Sequence, residues 1–317
     1  MRRPSVFSAN ALYLLAIVGL MLTGLFSQEI LYGIFALFPN ISSECAILLM
    51  NAVYYVPFML LPAALYAGKN PDCAVLRLNP VSFRATVFLV LTAIIGVFLT
   101  SNISYFWSVL LESIGLHPYV TSAIPSGMDA NGMMLYIASA AILPGICEEM
   151  LCRGVLLSAW EPRRGTLNAL RYTAILFALT HGSLQGLPSQ FLLGYAMAYL
   201  VTAFDSLYAG MIYHTTHNAA VVLLSVAAEK FAPTVAQTAA AVSPNLALTL
   251  FECVYLLAAY AALLSLCRRR MAKHRVILFH DAHRRMTAQE WLMLLSALLT
   301  TAVLYGEDML LLLKITS

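Results

Sequence analysis

Apolar and polar positions in this chain separate into long blocks. Apolar runs extend over Leu12 to Leu37, Cys45 to Tyr66, Ala85 to Trp107, Met133 to Cys147 and Tyr172 to Leu187. Phe191 to Phe204, Leu207 to Ala227 and Leu246 to Leu266 follow, with a weaker run at Trp291 to Tyr305. About 20 apolar helical residues cross the hydrocarbon of a bilayer. The pattern therefore predicts an all-α polytopic bundle of eight transmembrane spans, with the last run as a ninth candidate. The first run follows Arg2 and Arg3 as a signal peptide would. It is too long for one and other spans succeed it, so it reads as an uncleaved first helix.

Composition sharpens the class. Of the 317 residues, 61% are hydrophobic and 10% charged, whereas soluble domains run at about 45–50% apolar and about 25% charged. The net charge of +3 matters less than its placement. Arg2 and Arg3 precede the first span; Lys69, Arg77 and Arg84 separate the second from the third; Arg163, Arg164 and Arg171 separate the fourth from the fifth. Arg268, Arg269, Arg270, Lys273 and Arg275 follow the eighth, while the loop from Leu111 to Asn131 has no basic residue. The positive-inside rule places the N-terminus and the basic loops in the cytoplasm. Basic residues here indicate topology and not nucleic acid.

The chain reads as one integral membrane domain over 1–317, with 267–290 as a cytoplasmic basic segment. That segment contains His280–Asp281–Ala282–His283, which without cysteine or intramembrane partners reads as solvated linker and not as a metal site. The six cysteines (Cys45, Cys73, Cys147, Cys152, Cys253, Cys267) are scattered and mostly fall within or beside the apolar runs. They lack metal-ligand spacing and read as small packing residues, with no disulfide framework.

Ionisable groups at membrane depth cost about 2.5–3.5 kcal/mol each on insertion scales and usually face a cavity. Those that remain cluster in three places. In Gly145–Gly154, at the end of the fourth run, Glu149 and Arg153 share a helix face four residues apart. Glu148 lies about 100° around the helix, and Pro144 cannot donate to the carbonyl of Ala140. In the fifth run Phe177 and His181 are four apart, with His181 roughly 15 Å beyond Arg171 by helical rise. In the seventh, His214 and Asn218 are four apart, and His217 has no clear partner and reads as packing or interhelical bonding. Each segment alone also reads as structural: glutamates neutralised by arginine, or histidines hydrogen-bonded in a helix interface. Their similar depth in the cytoplasmic half favours one shared pocket.

A carboxylate beside a histidine can take a proton from water and make it a nucleophile. A second histidine and a carboxamide can donate to a tetrahedral oxyanion. These are the parts for amide hydrolysis without a covalent intermediate. The same groups could hold zinc, with Glu148, His181 and His214 as ligands, although the signature H-E-x-x-H is absent. Or they could relay protons in a transporter, which predicts repeats that the sequence does not display.

Glu148–Glu149–x–x–x–Arg153, Phe177–x–x–x–His181 and His214–x–x–x–Asn218 together resemble the three motifs of the CPBP intramembrane protease family, which includes the CAAX prenyl endoproteases and the bacterial Abi proteins. The resemblance covers about 133–228. It implies Glu148 as general base with His181 assisting, and His214 with Asn218 as oxyanion hole. Glu149 and Arg153 would hold the motif, or Glu149 would share in catalysis. It further implies a peptide or protein substrate at the membrane, with the lipid bilayer as the other partner; the glutamate chemistry preferred above needs no cofactor, zinc being the less favoured alternative, and the expected location is a bacterial cell membrane. The alternative within the family is a catalytically idle member that binds a partner, for instance in bacteriocin immunity.

Overall fold

The computed structural model describes residues 5–69, 76–119, 128–239, 246–273 and 285–313. Arg2, Arg3, Cys73 and the His280–His283 segment lie outside the described residues, as does part of the basic segment assigned to 267–290.

Helices begin where a short oxygen-bearing side chain precedes an apolar run. Ser5, Ser42, Ser82, Asp129 and Thr287 each accept a hydrogen bond from a backbone N–H of the first turn, satisfying a donor the helix leaves unpaired. The resulting helices are α1 (Val6–Leu25), α2 (Ser27–Leu37), α3 (Ser43–Tyr55), α4 (Leu61–Gly68) and α5 (Phe83–Ser113). α6 (Ala130–Ile137), α7 (Leu143–Glu149), α8 (Leu157–Arg164) and α9 (Thr166–Thr180) follow. The last are α10 (Leu187–Phe204), α11 (Leu207–Ala239), α12 (Leu246–Lys273) and α13 (Ala288–Leu312). No strand occurs among the described residues.

Several of these helices are segments of longer rods. A π-helical turn at Val56–Leu60 joins α3 to α4, and two more, at Ala138–Ile142 and Met150–Leu156, join α6, α7 and α8. Counted as rods, the described residues form ten, and seven are long and apolar enough to cross a membrane. The weaker ninth candidate is among those seven, as Ala288–Leu312. This is an integral membrane protein of helical bundle type.

Three sequence boundaries are corrected. The run Leu12 to Leu37 is two helices, because the chain leaves helical geometry at Phe26. Tyr172 to Leu187 is no continuous span. α9 has 15 residues and stops at Thr180, and Gly182 at φ +60 turns the chain toward α10. A 15-residue helix rises only about 22 Å. The fourth run does not end at Cys147 but continues to Arg164. Glu148 and Glu149 therefore sit mid-rod, with Glu148 about 24 Å from the Arg164 end and about 27 Å from the Ala130 end by helical rise.

Contacts at the termini of the rods define two faces of the bundle. At one, Arg77 pairs with Glu161, Asn79 donates to the Asp205 carbonyl at 2.7 Å, and Arg163 pairs with Glu290. At the other, Trp107 donates to the Leu184 carbonyl at 2.8 Å and the His117 N–H to that of Leu312 at 2.7 Å. Successive rods from α5 to α11 thus run antiparallel. Leu91, Phe98, Phe251, Leu292 and Leu299 are exposed on the outside, as suits contact with lipid. α10 is the most enclosed of the candidate spans, and its Gly194 lets α9 approach until Phe177 and Ala174 touch it.

Candidate active site

The π-helical turn Met150–Leu156 begins directly after Glu149. Such single-turn bulges shift the register of the side chains that follow and are frequent at functional sites. Here Arg153 swings back along its own rod, and its Nη1 donates to Glu149 Oε1 at 2.6 Å. Its Nη2 donates to the Gly194 carbonyl on α10 at 2.8 Å, and the guanidinium lies over the Phe177 ring, 4.4 Å from its centre. Neither charge of the pair has solvent contact. A buried pair of this kind is tolerated only where further hydrogen bonds satisfy it; the Gly194 carbonyl and the aromatic face serve here.

Glu149 has a second partner. His214 Nδ1 lies 3.1 Å from the same Oε1. Because that oxygen already accepts from arginine and has no proton to give, the network assigns the hydrogen to Nδ1. Gly210, one turn before His214 on α11, has no side chain, and a Cβ there would run into Glu149 Oε2. The carboxylate thus presses against the α11 backbone.

The other ring nitrogen of His214 points to the adjacent glutamate. His214 Nε2 is 3.9 Å from Glu148 Oε2, an oxygen that is buried with no hydrogen-bond partner. The other oxygen, Oε1, accepts from the hydroxyl of Tyr55 at 2.9 Å. One imidazole therefore spans two neighbouring glutamates, each of which faces a different side of its helix.

Asn218, one turn further along α11, donates from Nδ2 to the Ala140 carbonyl at 3.2 Å. This is the carbonyl to which Pro144 cannot donate, so the break in one rod becomes the anchor for a side chain of another. His217 has partners after all: Thr100 Oγ1 of α5 at 3.0 Å from Nε2, and Asn218 Oδ1 at 3.4 Å from Nδ1.

His181 stands apart from the carboxylates. It caps α9, with Nδ1 2.9 Å from the Phe177 carbonyl, which leaves Nε2 unused by that bond. It is exposed, whereas Glu148 and His214 are 7% and 2% exposed. Phe177 meets both imidazoles edge-on, with ring centres 4.9 Å from His181 and 5.7 Å from His214. Glu148, Glu149, Arg153, Phe177 and His214 thus form one contiguous cluster; Asn218 stands one turn beyond His214 on α11, and His181 joins through Phe177. Among the described residues no group of three His, Cys, Asp or Glu side chains is placed to hold one metal ion.

Sequence reasoning missed Tyr55, Thr100 and the Gly194 carbonyl. Tyr55 ends α3 just ahead of Pro57, and an aromatic beside a proline in an apolar run announces no chemistry. The Gly194 carbonyl has no sequence signature at all.

The model of the Rce1-like family, described as type II CAAX prenyl endopeptidase Rce1-like, matches residues 130–220. That segment runs from α6 to Ala220 on α11, includes Glu148, His181, His214 and Asn218, and is similar to the CPBP, or CAAX protease, family. The family is one of peptide hydrolases. Comparison with curated proteins and with solved structures found no match.

Proposed function

We propose that this CAAX-type endopeptidase cleaves a peptide bond of a lipidated or membrane-associated substrate, using water activated by Glu148 within the bilayer. The observation that carries the reading is the free Glu148 Oε2, buried and 3.9 Å from His214 Nε2. A carboxylate oxygen with an unused lone pair beside an imidazole can accept a proton from water. The water oxygen then forms a bond to the scissile carbonyl carbon, and the carbonyl electrons move to oxygen.

His214 is arranged to meet that oxyanion. Its Nδ1 donates to Glu149, so Nε2 carries a hydrogen only in the imidazolium form. In that form the charges of Glu148, Glu149, Arg153 and His214 sum to zero, and the Nε2–H can donate to developing negative charge. Asn218, whose Nδ2 carries a second hydrogen beyond that given to Ala140, supplies the companion donor. The proton on Glu148 passes to the leaving amine as the tetrahedral intermediate collapses. His181, the exposed member, assists where substrate and water arrive. The basic loops support an N-terminus in the cytoplasm, and helical rise puts the carboxylates near the middle of their rod.

The test uses proteoliposomes and an internally quenched peptide ending in a farnesylated CAAX sequence. Glu148→Gln keeps the shape and removes the base, and the expected loss is about 10²-fold or more. A variant that cuts at the wild-type rate defeats the assignment. The wild-type rate is expected to survive a strong zinc chelator; loss restored by added zinc would replace the glutamate mechanism with a metal one.

A further inference from the structure

We propose that Tyr55 is a positioning residue for Glu148, an element of the machinery supplied from outside the 130–220 segment; the inference rests on the peptidase reading above. The terminal torsion of a glutamate is a broad, nearly two-fold rotor, so a carboxylate with neither oxygen held presents no fixed lone pair. In this site the phenol of Tyr55 holds Oε1 at 2.9 Å. The other oxygen, without a partner, is thereby turned toward His214 Nε2. A hydrogen bond to one oxygen thus fixes where the other one acts.

The placement of Tyr55 is set by its rod and not by chance contact. Asn51, one turn earlier on α3, donates to Ser139 Oγ at 2.7 Å, on the same rod that carries Glu148. The two rods are therefore tied at two levels. Tyr55 is the last α-helical residue before the turn Val56–Leu60, and Glu148 precedes the turn Met150–Leu156 by two residues. The Tyr54 ring packs on Tyr55 with centres 4.8 Å apart, which limits its swing. A phenylalanine would fill the same space, so packing alone does not account for the hydroxyl.

Tyr55→Phe removes that oxygen and little else. In the proteoliposome assay kcat is expected to fall about 10- to 100-fold while KM stays within about two-fold, since the hydroxyl acts on the base and not on the substrate. The infrared difference band of the Glu148 carboxylate, wild type minus Glu148→Gln, is expected to shift in the Tyr55→Phe protein. A variant with wild-type kcat, or one whose KM and kcat change together with an unshifted band, overturns the proposal. If Tyr55→Phe fails to fold, 3-fluorotyrosine at position 55 keeps the shape and alters the donor, and an unchanged kcat then overturns it. Failure of the two readings is distinguishable. Glu148→Gln inactive with Tyr55→Phe fully active sinks only the role of Tyr55, whereas Glu148→Gln fully active sinks both.

Discussion

Arg153 shows at the level of one side chain what a charge at membrane depth requires. It has no solvent contact, gives one nitrogen to Glu149 and another to Gly194, and lies on Phe177. Arg153→Met would leave Glu149 as a buried charge without its cation, a loss of about 3–5 kcal/mol. Thermal unfolding in detergent is expected to show a midpoint on the order of 10 °C lower. The double variant Glu149→Gln/Arg153→Met, in which neither charge is stranded, is expected to recover part of that loss. A single variant that melts with the wild type would mean the pair is not what holds this region. Arg153→Lys is no rescue, because a point charge cannot serve two acceptors in a planar fork and stack on a ring.

How much of this was legible in the chain differs by residue. Glu149 and Arg153 declare themselves by their spacing, since residues four apart on a helix meet. That His214 would bridge to both glutamates is not legible, because the bridge depends on how α11 packs, and Gly210 permits that closeness only in three dimensions. His217 looked partnerless for the same reason: Thr100 lies 117 residues away in sequence. Asn218 was readable as polar and Pro144 as disruptive, yet nothing in sequence links them.

Among the elements, the helices were readable and their ends were not. Apolar blocks mark where chain must be buried in lipid, but π-helical turns and the early stop of α9 answer to tertiary packing. The turn that follows His181 is held by a helix from the far end of the sequence. Asp308 of α13 accepts from the Leu184 N–H at 2.7 Å and from the Tyr119 hydroxyl. Tyr119, in the segment after α5, has its phenol pushed up to about 12, first by burial and then by the hydrogen bond and charge of Asp308. A raised tyrosine binds its proton more firmly folded than unfolded, so its contribution is complete below pH ~10 and lost as pH rises toward ~12. The unfolding midpoint is expected to fall more steeply between those values in the wild type than in Tyr119→Phe. Parallel pH curves for the two proteins would show that this strap does not bear on stability.

For the molecule as a whole, the fold class was legible because an apolar fraction of 61% leaves few alternatives to a membrane bundle. Orientation is a separate matter, and charge argues it. Arg77 and Arg163 sit at one end, bound to Glu161 and Glu290, with Lys69, Arg84 and Arg164 nearby in sequence. The opposite end, with Trp107, Tyr119, Leu184 and Asp308, has no basic residue among those that make these contacts. A bilayer under a negative-inside potential retains lysine and arginine on the cytoplasmic side. In a cysteine-free background, Ile114→Cys at the neutral end is expected to react with a membrane-impermeant maleimide added to intact cells. Leu78→Cys at the basic end is expected to react only after permeabilisation, both positions being exposed in the fold. The reversed pattern would invert the protein and place substrate on the outer side. The carboxylates would not move, since they sit near the middle of their rod whichever way it points. Orientation therefore decides which pool of substrates the site meets, and leaves its chemistry as the helices set it.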